Sequence, residues 1–424
     1  MTQRDLLPDG HRRRRVGRRS ILGLLGAVPL TAGRAWVAAA TRGTTGPDGS
    51  APAAGTGGLP PSGPIPPGLR PGGEFDRLIA RLAQDDTFSG TVLLMHRDSP
   101  VLARSYGMAD KKRAIPNGPD TIFCLGSITK IFTAVAVAQL AQQGKIAYTA
   151  TLGTYLDGFP ADIAGSVMIH HMLTHTSGMG DYTQLPGFFE VSFTWTSPEQ
   201  VMDGTLEFIR KAPLAFVPGT RGQYSNSAYH VLGAIVAKVS GQSYYDYVRD
   251  HVFGPAGMTA SDFYTASQWR DDRRIAHPYT SQNQPSGQRV DALDGPFSYI
   301  GSPAGNALAS APDLVRFKRA LLSHKLLDPV HTELTLSPKV PRPPIPAQSG
   351  APVQFPFDSY ATTTDIVNGH WAVGHSGAAP GVWTNLDWFP DLDWTAVFLS
   401  NYDMPGPTPG AGPAATARAL VTQQ

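Results

Sequence analysis

Apolar residues along this chain switch between two periods. Phe75, Leu78, Ile79 and Leu82 recur at helical spacing and predict a short amphipathic helix where folding begins, near Glu74. Thr91–Met95 and Val101–Tyr106 then read as two strands joined by a turn at Asp98-Ser-Pro100. Residues 127–143 are apolar almost all round, through Ile131, Phe132, Val135 and Leu140. That pattern predicts a buried central helix, stopped at Gly144. Helical patterns recur over Pro198–Arg210, Ala228–Ser240, Tyr244–Val252 and Pro312–Leu322. Strand signals return at Trp371–Val373, Val382–Phe389 and Trp394–Leu399, the last two forming a hairpin turned at Pro390-Asp-Leu-Asp393. Strands at both ends of a helical middle predict an α+β fold, an antiparallel sheet flanked by helices with an inserted, mostly helical lobe. The α/β lobe is expected over 74–126 and 305–404, the helical lobe over 127–304, and a tail over 405–424, where a short helix fits 413–422.

Composition changes the picture at the N-terminus. Arg12 to Arg15 and the pair Arg18-Arg19 precede a moderately apolar run from Ser20 to Leu25, and Ala38-Ala39-Ala40 offers a small-residue cleavage site. This order reads as an export signal over 1–40, of the twin-arginine type, and so implies the twin-arginine export machinery as a partner and an extracytoplasmic or secreted product. A basic nucleic-acid arm is the poorer reading, because it does not explain the apolar run and the Ala-x-Ala site that follow. Residues 41–73 are rich in Gly, Pro, Ser and Thr and read as a linker. Residues 1–40 hold eight arginines and two aspartates, so the remainder carries 27 basic against 31 acidic residues, a net charge of −4. A mildly acidic body does not suggest a nucleic-acid partner. The apolar run is too short and too interrupted for a spanning helix, so no stable membrane insertion is expected.

Three short motifs carry the candidate chemistry: Ser127-Ile-Thr-Lys130, Tyr224-Ser-Asn226 and His375-Ser-Gly377, each pattern occurring once. On a helix, Ser127 and Lys130 lie one turn apart on the same face. A serine hydroxyl is a poor nucleophile until its proton is taken, and a buried lysine with a lowered pKa can take it. A cationic Lys130 is in turn expected to make Tyr224 ionise more readily. Each motif also has an ordinary reading: a helix start with an exposed lysine, a core tyrosine with Asn226 as a helix N-cap, a strand followed by a turn. The single cysteine, Cys124, lies close to Ser127 but sits in the apolar run Ile122–Leu125, which favours a small core residue over a nucleophile. His170, His171 and His175 read as hydrogen-bonded braces rather than a metal site, since no nearby carboxylate or cysteine completes a ligand set.

The ordered set resembles the serine hydrolases of the penicillin-recognising fold: class C β-lactamases, related DD-peptidases and carboxylesterases on the same scaffold. The resemblance runs from about residue 74 to 404. It also rests on Met172-Leu-Thr-His-Thr-Ser-Gly178, Phe216-Val-Pro-Gly219, Val239-Ser-Gly241 and Phe253-Gly-Pro-Ala-Gly-Met258. It implies a cofactor-free and metal-free enzyme in which Ser127 is acylated, Lys130 accepts its proton and Tyr224 relays a proton to the leaving group. It further implies that Asn226 positions Lys130 and substrate, that the N–H groups of Ser127 and Ala378 form an oxyanion hole beside Gly377, and that His375 flanks the substrate anion. The sequence departs from the family pattern twice. His375 replaces the lysine of most β-lactamases, which shifts weight toward a peptidase or esterase. Pro303-Ala-Gly-Asn306 has Asn where a second glycine is usual. The expected substrate is a D-amino-acid peptide such as a peptidoglycan peptide, with small esters, β-lactams or a slowly deacylating sensor role as alternatives. Phe188, Phe189, Trp195, Phe297 and Tyr299 are candidate pocket aromatics.

Overall fold

The computed structural model describes residues 65–282, 284, 287–347, 352–403 and 412–423. The expected signal segment and most of the expected linker lie outside the described residues. An eight-stranded antiparallel sheet forms the centre. Its strands are β1 (Gly90–His96), β2 (Ser99–Tyr106), β3 (Val340–Pro341), β4 (Gln354–Asp358), β5 (Thr363–Val367), β6 (His370–Ala379), β7 (Val382–Phe389) and β8 (Trp394–Ser400). Their spatial order is β2-β1-β8-β7-β6-β5-β4-β3.

Burial on both faces explains why β7 and β8 read as nearly continuous apolar runs. Leu386 and Trp388 of β7, with Val397 and Leu399 of β8, face the large core beneath the helical lobe. Their neighbours Phe389, Ala396 and Phe398 face a second core with Phe75 and Ile79 on one side chain layer and Leu420 and Val421 on another. That second layer is built by α1 (Glu74–Gln84) and a C-terminal helix, Pro413–Val421. Residues 412–423 are therefore part of the folded body and not a tail. The expected linker is likewise too long: Leu69, within 65–73, is fully buried in the same core.

One buried ion cluster fastens the C-terminal helix. Arg418 Nε and Nη2 donate to Asp387 at 2.8 and 2.7 Å, and Nη1 donates to Asp365 at 2.5 Å. Both carboxylates are buried, on β7 and β5.

The helical lobe contains α2 (Thr129–Gln142), α3 (Pro198–Lys211), α4 (Asn226–Ser240) and α5 (Tyr244–Val248). Residues Thr129 to Ala138 of α2 are all buried, including the polar Thr129, Lys130 and Thr133. The expected start of this helix is displaced: Gly126–Ile128 forms a 3-10 turn and the α-helix begins at Thr129. The helix expected over Tyr244–Val252 stays α-helical only to Val248, then widens into a π-helical turn over Arg249–Phe253. Asn226 is not the N-cap of α4. Ser225 is, its Oγ accepting from the Ala228 N–H at 2.9 Å, which leaves the Asn226 amide for other partners. Among the described residues no helix is long and apolar enough to cross a membrane.

Candidate active site

Ser127 sits in the 3-10 turn that leads into α2. Two glycines let the β6 strand approach this turn. Gly126 has φ +51°, and a Cβ there would lie 2.8 Å from the Ala378 nitrogen. A Cβ on Gly377 would lie 2.0 Å from the Leu125 carbonyl oxygen. Neither position tolerates a side chain. This close approach brings the backbone of Ala378 next to the Ser127 turn. Beyond Gly374, β6 pairs with β7 alone, because its pairing with β5 ends at Thr363–Gly374. The edge from His375 to Ala379 is therefore open on the site side to an extended substrate.

Lys130 is fully buried, and its amine has three oxygen neighbours. Nζ lies 2.7 Å from Asn226 Oδ1, 2.5 Å from the Ala304 carbonyl and 3.2 Å from Ser127 Oγ. The first two oxygens can only accept. A neutral amine has two N–H groups and one lone pair, so donating to both leaves the lone pair facing Ser127. Burial makes the neutral form accessible, holding the Lys130 pKa down at about 7 against the opposing pull of Asp181. The amine also lies 4.7 Å from the centroid of the Tyr224 ring.

Asn226 is held in this orientation by a residue that the sequence did not single out. Its Nδ2 donates to Asp181 Oδ2 at 2.8 Å. A carboxylate only accepts, so Asp181 fixes which end of the amide faces Lys130. Asp181 also caps the next 3-10 turn through the Thr183 N–H at 3.0 Å. A lone Asp after a glycine turn carries no sequence signal; the unmet need of the Asn226 amide for an acceptor is the only hint.

The Tyr224 hydroxyl lies close enough to Ser127 to interact with it. Its ionisation differs from the expectation drawn from the lysine charge. Desolvation pushes the phenol up, outweighing the Ser127 interaction, so Tyr224 keeps its proton at neutral pH. His375 is buried and neutral. Desolvation first, then the Lys130 charge, holds it down at about 3, with Arg342 adding to the same direction. Its Nδ1 is bonded to the Ser376 carbonyl.

The three motifs thus meet in one place: Ser127, Lys130, Tyr224, Asn226, His375, Gly377 and Ala378 surround the turn at the start of α2. The histidine cluster has divided roles. His175 stacks on Tyr224 at 4.5 Å and accepts from the Ser225 N–H, whereas His170 bonds Tyr360 and His171 accepts from the Met168 N–H. Among the described residues no group of three or more metal-ligating side chains occurs. Cys124 is buried with its thiol pushed up to about 12 by desolvation, and it donates to Asn306 at 3.4 Å. Asn306 has φ +70°, a left-handed conformation open to Asn as well as Gly. Of the candidate pocket aromatics, Phe188 is buried against Tyr182, Trp195 and Tyr299 pack on the main core, Phe297 packs on Trp269, and Phe189 is exposed.

The model of the Beta-lactamase family matches residues 75–421. The chain belongs to the β-lactamase family. Its fold is that of the family's serine hydrolases, a group in which penicillin-binding proteins and esterases are relatives of this chain. It is 28% identical over 338 residues to penicillin-binding protein 4* of Bacillus subtilis (strain 168), covering 76% of this chain and 70% of that one. It is 33% identical over 253 residues to esterase EstB of Burkholderia gladioli, covering 57% and 62%. Among solved structures, a penicillin-binding protein from Bacillus halodurans superposes with a TM-score of 0.67 at 28% identity, covering 81% of this chain and 98% of that one. The chain spans 61% of the length of PbpX from B. subtilis and 62% of EstB, less than two thirds of each.

Proposed function

We propose that this β-lactamase-family protein is an exported serine hydrolase that forms an acyl-enzyme on Ser127 and acts as a D-alanyl-D-alanine carboxypeptidase-like hydrolase of D-amino-acid peptides. The observation that carries the mechanism is the Lys130 amine, whose two acceptor-only partners turn its lone pair toward Ser127 Oγ. Lys130 accepts the serine proton as Oγ attacks the scissile carbonyl. The N–H groups of Ser127 and Ala378 receive the developing oxyanion. Tyr224, still protonated beside Ser127, passes its proton to the leaving amine; in deacylation the resulting phenolate takes a proton from the hydrolytic water and Lys130 returns its proton to Ser127 Oγ. Asp181 acts through Asn226 as a positioning residue.

The substrate class follows from charge. Neutral His375 offers no fixed cation on β6. The half-exposed Arg342, directly after β3, supplies one instead, since its charge reaches both His375 and His175, and its carboxylate partner Asp358 lies 3.5 Å away. A cation at that edge suits the terminal carboxylate of a peptide. The neutral histidine by itself suits an uncharged ester, the second reading, which the similarity to EstB also favours.

The test is brief incubation with benzylpenicillin followed by intact mass, with Ser127→Ala as control. A penicilloyl adduct absent from the control is expected; an adduct on the control would sink the Ser127 mechanism. Arg342→Ala is expected to cut kcat/KM for a D-alanyl-D-alanine peptide by about 10- to 100-fold and to leave a p-nitrophenyl ester unchanged. Equal rates on the peptide move the assignment to the esterase.

Acylation should also follow the protonation of Lys130. Its amine is a base only above its pKa, so kcat/KM is expected to rise with pH, with a midpoint of about 7, and then to level. The phenol of Tyr224 stays protonated over this range and adds no falling limb near neutrality. A pH profile flat from 5 to 9 rules out Lys130 as the base.

A further inference from the structure

Away from Ser127, the helical lobe carries a partly open cavity of about 400 Å³ between α3, α4 and α5, within the size range of small-molecule sites. Leu156, Met202, Leu206, Ala234 and Ala237 give it an apolar lining. Its mouth carries the carboxylates Asp157, Glu199 and Asp203 against the cations Arg210 and Lys238. Arg210 is already engaged, with Glu207 at 3.5 Å and the Asp157 carbonyl at 3.0 Å. The charge left over is negative.

The far wall of this cavity is bonded to the segment that holds the catalytic lysine. Tyr244, which lines it, pairs through its hydroxyl with Thr133 of α2 at 2.7 Å. Thr133 donates to the Pro303 carbonyl at 2.7 Å, and the next carbonyl, Ala304, receives the Lys130 amine. Tyr245, also lining the cavity, donates to the Gly301 carbonyl at 2.9 Å. Pro303 is pressed onto α4 at Gly233, where a Cβ would lie 2.1 Å from its ring. That same helix begins with Asn226, the other partner of Lys130. A shift of α4 or α5 therefore moves both oxygens that orient the amine, because the packing between them leaves no slack.

We propose that this cavity is a second ligand site, for a small molecule with an apolar body and a cationic nitrogen, whose occupancy changes the acylation rate at Ser127. Apolar walls take the body, and the surplus carboxylates at the mouth take the ammonium. The effect on Ser127 runs through Tyr244, Thr133 and Pro303 to Ala304, a continuous chain of packed and hydrogen-bonded groups.

The rate arm of the test rests on Ser127 being the nucleophile; the binding arm does not. The probe is 4-phenylbutylamine, with 4-phenylbutanoate as its anionic counterpart. In the Ser127→Ala protein, titration calorimetry is expected to show saturable binding of the amine and at least tenfold weaker binding of the carboxylate. Ala237→Phe fills the cavity and should abolish binding. Asp203→Asn, at an exposed position, should weaken the amine severalfold with the fold intact. In the wild-type protein, saturating amine is expected to change the rate constant of acylation by at least about fivefold at saturating ester. Ala237→Phe should remove that response. Amine binding that survives Ala237→Phe, or carboxylate binding of equal strength, overturns the site. Binding without any change in the acylation rate constant overturns the coupling.

Discussion

Replacing Lys130 with methionine, which keeps the length of the side chain and removes its amine, is expected to slow acylation about 100- to 10,000-fold, the usual contribution of a positioned general base. No other group in the site can take the serine proton. Tyr224 holds its own proton, and His375, held down at about 3 chiefly by burial, is too weak a base to take that of the serine. Stopped-flow acylation by a chromogenic ester measures the loss; a rate within tenfold of wild type would remove Lys130 from the mechanism. The same variant carries a stability signature. The Lys130 amine titrates at about 7 in the fold and near the ordinary 10.5 in the unfolded chain. Between these values the unfolded chain holds a proton that the folded chain does not. Wild-type stability therefore falls as pH drops from about 10 to 7, by up to about 1.4 kcal/mol per unit from this group. The Lys130→Met variant lacks that slope, so its stability relative to wild type should improve on acidification through this window. Denaturant titrations at pH 7 and pH 9 show the sign.

The second large effect concerns the fold. Arg418→Ala leaves two buried carboxylates, Asp365 and Asp387, without their shared cation. Breaking a buried pair from one side typically costs about 3–5 kcal/mol. The Asp365 carboxyl is already raised by burial, with Arg418 the main force opposing it. Without the arginine the Asp365 carboxyl should take up a proton in the fold more readily than in the unfolded chain. The loss is then greatest near pH 7 and shrinks as pH falls toward 4. Guanidinium unfolding at both pH values measures it. A loss below about 1 kcal/mol at pH 7 would show that the C-terminal helix is held by Ala417, Leu420 and Val421 alone. Replacing Arg418, Asp365 and Asp387 together with apolar residues of similar size should recover most of the stability, because no unpaired charge remains.

Much of the architecture was legible because local pattern and environment agreed. The amphipathic helix at Glu74, the all-apolar helix after Ser127 and the hairpin of β7 and β8 each announce their surroundings through their period. Strands β3 and β4 were not legible. Residues 340–358 are interrupted by proline and glutamine, and their strands exist because β5 offers β4 a partner, and β4 in turn offers one to β3, rather than because they favour extension. The C-terminal helix was visible as a helix, but its place in the core depended on partners far away in sequence, at Asp365 and Asp387.

For the site, the order of residues already held the chemical inventory: a serine and a lysine one helical turn apart, a tyrosine, an amide and a glycine-bearing strand in fixed order. Only the tertiary structure decided how that inventory is set. It supplied Asp181 and the Ala304 carbonyl as the groups that orient Asn226 and Lys130. It reversed the expected effect on Tyr224, whose phenol is raised by desolvation that outweighs its interaction with Ser127. Covalent spacing along a helix can place two side chains together, but the desolvation and hydrogen-bond partners that set a pKa come from segments distant in sequence, brought together only when the chain has folded.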